Sequence, residues 1–116
     1  MLAQYLDLTE EFNNNPAYEV VIDVSNYDYC LIQPIGDNVN LFSTIDSGAV
    51  QSVTDGNATT AVNFTAVSAL RLSNGTTYET QAKDEDIARL AVVGRYVKIS
   101  KGSPITKLLV MLTKIS

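Results

Sequence analysis

The sequence predicts an all-β protein: an antiparallel two-sheet sandwich, jelly-roll or Ig-like, of seven to eight strands with a short N-terminal arm or helix. Short apolar stretches rich in Val, Ile, Leu and Tyr recur at roughly 8–12-residue spacing. Gly, Asn and Asp turn chemistry separates them. At 116 residues and 46% hydrophobic, the chain is large enough for one core without disulfide staples. It contains no internal repeat and no linker, so it divides into an arm over residues 1–17 and a single β domain over 18–116.

Leu2, Tyr5, Leu6 and Leu8 have roughly helical spacing, and Thr9-Glu10-Glu11-Phe12 offers a second helical start. Asn13-Asn14-Asn15-Pro16 ends any such helix, because the residue before proline is pushed toward extended geometry. The segment either folds onto its own domain or serves as an arm that grips a neighbour.

Strands are then expected over 19–24, 27–33 and 39–45. In the second, Tyr27, Tyr29, Leu31 and Gln33 alternate with Asp28, Cys30 and Ile32, the pattern of a strand contacted on both sides. Pro34 and Gly36-Asp37-Asn38 close it, and Cys30 reads as a small buried hydrophobe. After the polar stretch DSGAVQSVTDGNATT, with its Asp55-Gly56 turn, strands are expected to resume over 61–72. Asn74-Gly75 turns the chain into 76–80, and Asp84-Glu85-Asp86 makes a charged bend. Two long strands follow, over 90–99 and 107–115. Gly94 in the first marks a bulge or a close backbone approach. The last, KLLVMLTKI, is apolar on both faces, so it needs a cover beyond its own sheet: the N-terminal arm or another subunit.

Charge is unevenly distributed. Before Arg71 there are nine acids and no base; from Arg71 onward eight bases face four acids, so the two parts carry −9 and +4 within a net charge of −5. The parts either neutralise each other inside one domain or give unlike faces suited to docking copies of the chain or a charged scaffold. Nucleic acid is a poor partner, since the net charge repels phosphate and the bases are not interleaved with stacking aromatics beyond Tyr96. No apolar run approaches the roughly 18 residues of a membrane span, and no basic-then-apolar leader opens the sequence.

The parts for catalysis are scarce. With no His and one Cys, the usual zinc sets, a His-based triad and an internal disulfide are excluded. Ser103 and Lys107 lack the helix that usually presents such a nucleophile–base pair. Asp46 and Asp55 flank a stretch without the alternating acidic spacing of a calcium loop. The three sequons at Asn57, Asn63 and Asn74 read as turn and strand composition. The expectation is therefore a protein that is not an enzyme and holds no cofactor or metal.

Five pieces occur in a telling order: Ser43 to Ala49, Asp55 to Asn57, Asn63 to Val67, Asn74 to Thr76, and Val93 to Ile99. In that order they resemble the small β-sandwich virion proteins of tailed bacteriophages. The resemblance implies a structural component that decorates or stabilises the capsid, as an auxiliary capsid or head-fibre protein. It would be made in the host cytoplasm and reside in the virion, held by copies of itself and by major capsid or other virion proteins. The closing GRYVKI is also similar to the last strands of discoidin-type jelly rolls, which implies a carbohydrate-binding module with Tyr78 and Tyr96 as sugar-stacking candidates. Against that, the chain has no Trp and no flanking disulfide. The expected gripping residues are Leu2, Tyr5, Leu6, Leu8 and Phe12 in the arm, and Leu109, Met111 and Ile115 in the last strand.

Overall fold

A computed structural model describes residues 2–46, 63–91 and 94–115. The stretch from Ser47 to Val62, including Asp55 and the first sequon, lies outside the described residues. Two antiparallel sheets pack as a sandwich. One holds six strands in the order β1 (Leu2–Asp7), β11 (Lys107–Lys114), β3 (Tyr29–Ile35), β9 (Ala88–Ala91), β6 (Ala69–Arg71), β7 (Tyr78–Glu79). In the other, β2 (Glu19–Asp23), β10 (Tyr96–Ser100) and β4 (Val39–Thr44) lie side by side. Both β5 (Thr65–Ala66) and β8 (Gln81–Ala82) pair with β4, one at each end of it.

The alternation read in the sequence sets the core. Val20, Ile22, Val39, Leu41, Val97 and Ile99 of the smaller sheet meet Cys30, Ile32, Leu90, Leu108, Val110 and Leu112 of the larger. Because strand side chains alternate faces, this fixes Leu31, Arg89, Leu109 and Met111 on the outer face of the six-stranded sheet.

Eleven strands appear among the described residues. The sandwich has more strands than expected because residues 2–7 add one, a short pair replaces the stretch over 76–80, and longer stretches change sheets midway. The 61–72 stretch gives β5 in one sheet and β6 in the other, and the 90–99 stretch lies across β9 and β10 in the same way. A single apolar run can feed both sheets of a sandwich, since each inner face wants the same residues. Gly94 lies in the second crossover. A Cβ there would press on the Ser43 side chain and lie 2.8 Å from the Thr44 carbonyl oxygen, so the close approach read from this glycine is present. Strand β3 runs through Pro34, which has no N–H to give; β9 pairs with β3 only as far as Ile32.

Residues 2–7 form a strand, although their apolar spacing read as helical. β1 lies along the outside of β11, with Leu2 opposite Lys114 and Asp7 opposite Leu109. A lone helix of this length is marginal in water, whereas β11 offers a row of unpaired backbone groups. Helix α1 (Thr9–Asn14) follows and inserts Phe12, fully buried, into the core. Asp7 accepts hydrogen bonds from the Thr9 N–H (3.1 Å) and hydroxyl (2.6 Å), and the Thr9 hydroxyl oxygen accepts the Leu108 N–H (3.0 Å). Asn15 is extended before Pro16, as expected.

Charges from the two parts of the sequence meet in space: Lys98 reaches Glu19 (3.9 Å) and Lys101 reaches Asp37 (3.3 Å). Lys98 also lies between two rings, 4.7 Å from the centroid of Phe42 and 4.9 Å from that of Phe64.

Candidate interaction surface

Strand register builds the surface. One row crosses all six strands of the larger sheet on its outer side: Tyr5, Met111, Leu31, Arg89, Leu70, Tyr78. The next contains Asp7, Leu109 and Gln33 and leads to Ile87, just before β9. On the other side of the first row, Ala3, Thr113, Tyr29 and Ala91 stand in register. The rows are mostly apolar although, among the described residues, no other layer of the sandwich meets this face.

Tyr5 and Tyr78 mark the two ends of the long row and are both open, 77% and 66% exposed. Between Tyr5 and Ile87 runs an open groove of about 510 Å³ lined by Leu31, Gln33, Leu109 and Met111. Its polar groups are engaged: Arg89 stacks on Tyr29 at 5.1 Å, and Gln33 donates to the Glu85 carbonyl at 3.4 Å. Thr9, bonding through its hydroxyl and its N–H, holds the Asp7 carboxyl below its ordinary range. Such a face can bind another apolar surface.

The expected gripping residues divide. Tyr5, Leu109 and Met111 come together on this face, whereas Leu6 is half-buried against the core. Leu8 and Phe12, 3% and 0% exposed, are core residues and are not available to a neighbour. Leu2 and Ile115 are exposed at one corner, where the Ile115 N–H donates to Asp28 (2.7 Å). Leu31 and Ile87 join the face from outside the expected gripping set, as does Tyr78, expected instead as a sugar-stacking ring; the two-sided alternation of β3 is the signal for Leu31.

Other candidates are dispersed. Tyr96 is 7% exposed in the smaller sheet while Tyr78 belongs to the larger, so the two expected sugar-stacking rings do not share a site. The Ser103 hydroxyl accepts a hydrogen bond from Lys101 (2.6 Å), not from Lys107. That ammonium also contacts the Pro104 carbonyl (3.1 Å) and Asp37, which suits a structural cation. Asp46 bonds Asn63 (2.8 Å), and Asn74 caps its own turn by accepting the Thr76 and Thr77 N–H groups (both 3.1 Å). Among the described residues no three His, Cys, Asp or Glu side chains gather as a metal site would require. Burial pushes the Cys30 thiol up to about 12.

No family model matches the chain, and no curated protein matches its sequence. Its fold is similar to the crystal structure of SPBc2 prophage-derived protein YomS, with a TM-score of 0.60 at 9% identity over 97% of this chain and 95% of that one. The similarity is one of fold, and it extends over nearly the whole of both chains.

Proposed function

We propose that this chain is a non-enzymatic structural protein of a bacteriophage particle, an auxiliary capsid or head-fibre component that decorates or stabilises the shell. It works through contacts with copies of itself and with major capsid or other virion proteins. The observation that carries this reading is the apolar outer face of the six-stranded sheet, from Tyr5 across Met111 and Leu31 to Tyr78. Contiguous apolar surface of this kind marks contact with another macromolecule. Lattice binding suits it, because modest contacts repeated over many copies sum to firm attachment. A prophage-derived protein with this fold supports the same reading. The glycan-module alternative has one of its two expected rings, Tyr96, buried and the other, Tyr78, exposed.

The test is co-sedimentation. Purified chain is mixed with particles from which it is absent, and the pellet is assayed. Saturable binding at a fixed copy number per particle is expected. Failure to associate with particles at any concentration, or turnover in a substrate screen, would overturn the reading.

A further inference from the structure

We infer that the outer face of the six-stranded sheet is where a second copy of this chain seats, face to face, about a two-fold axis. This deepens the reading above and rests on it for biological setting, but its argument is geometric. Six strands at about 4.8 Å spacing, with β3 and β11 seven and eight residues long and the far strands two to four, give a face of roughly 500 Å² in projection. Side-chain relief adds to that, which brings it near the roughly 800 Å² per partner of a standard specific interface.

Composition fits the same use. Tyr, Met and a single aromatic-stacked Arg, all present on this face, are residues in which interfaces are enriched. Charge on the face is sparse: Asp7 and Lys107, of opposite sign, lie at one border, and Arg89 in the middle is stacked on the Tyr29 ring of its own chain. Shape also allows self-pairing. Tyr5 stands proud at one side of the groove that ends at Ile87, and a two-fold gives each copy's ring the other's groove.

The competing arrangement pairs the open edge of β1 with its counterpart. Six residues of edge bury much less area, and that arrangement leaves the apolar face in water. The two geometries separate at Ile87, which precedes β9, three strands away from β1.

The experiment is sedimentation equilibrium of the full chain, with Tyr5→Arg and Ile87→Lys, and circular dichroism to verify the sandwich in each. Both side chains are exposed, so both variants should fold. A dimer that each substitution weakens roughly tenfold or more, as loss of a buried anchor does, is the expected result. A wild-type chain that stays monomeric overturns the inference, and so does a dimer that survives Ile87→Lys, which would place the contact on the β1 edge. A monomer that still co-sediments with particles overturns only the face pairing. A dimer that never binds particles overturns only the virion role.

Discussion

Asn13 and Ile105 hold each other by two hydrogen bonds: the Asn13 amide donates to the Ile105 carbonyl at 2.8 Å, and the Ile105 N–H donates to the Asn13 side-chain oxygen at 2.9 Å. One amide thus does the work of a strand partner, tying helix α1 to the turn between β10 and β11. Asn13→Ala strands both backbone groups of a buried residue, so a loss of about 1–3 kcal/mol is expected. Urea unfolding measures it, and hydrogen exchange should quicken in α1 before it does in β3.

Residues 2–14 serve two different ends, and paired substitutions separate them. Phe12→Ala empties a fully buried site and should cost about 3–5 kcal/mol. Tyr5→Ala changes an exposed ring and should alter monomer stability by no more than about 0.5 kcal/mol. Comparable losses for the two, in chemical denaturation of dilute protein, would contradict the placement of Phe12 in the core and Tyr5 outside it.

Gly94→Ala tests the approach of the second crossover to β4. The new methyl group meets the Ser43 side chain and the Thr44 backbone, while Ser43 is already donating its hydroxyl to the Tyr96 carbonyl at 2.8 Å. Backbone cannot rotate aside as a side chain can, so a destabilisation of about 1–3 kcal/mol is expected from overpacking. Thermal melting of the variant checks it.

Stability should fall in acid through a small set of carboxylates. The Ser73 hydroxyl and then the Arg71 guanidinium, each 2.6 Å away, hold Asp86 down to about 2 from an ordinary 3.8. A carboxyl that gives up its proton more readily when folded stabilises the fold above its unfolded value; that contribution disappears as the pH drops from about 4 toward 2. Asp7 and Asp37 are lowered too, the latter chiefly by the Asn38 N–H and then by Lys101. Urea midpoints should therefore be flat from about pH 7 to 5 and decline below about 4, with a shallower decline in Asp86→Asn.

Cys30 should resist alkylation in the native protein and react once unfolded. It is fully buried and its thiol is pushed up to about 12, so the thiolate is absent at neutral pH. Mass spectrometry after iodoacetamide, with and without denaturant, gives the comparison.

Much of the sandwich was legible because strand periodicity is local. The alternation around Cys30 and Ile32, and the doubly apolar β11, follow directly from which faces are covered. What was not legible depends on partners distant in sequence. Nothing in Leu2 to Asp7 announces that β11, a hundred residues later, will pull it straight; a helical spacing of four apolar residues is overruled by backbone pairing. Nor does the 61–72 stretch reveal where it leaves one sheet for the other, since Thr65-Ala66 and Ala69-Leu70 offer similar side chains to both. The interaction surface was half legible for the same reason. Met111 and Leu109 declare themselves by being apolar on the wrong side of a strand, but only register places Leu31, Arg89 and Tyr78 in line with Met111.

The register of Leu2 opposite Lys114 has a mechanical meaning. The first described strand and the last enter and leave at one corner, so tension applied between them peels β1 from β11 one bond at a time instead of shearing the whole ladder at once. A load passed through the middle of the sheets meets many bonds together. A subunit hung from that corner would yield at low force, whereas one gripped across its broad side would not.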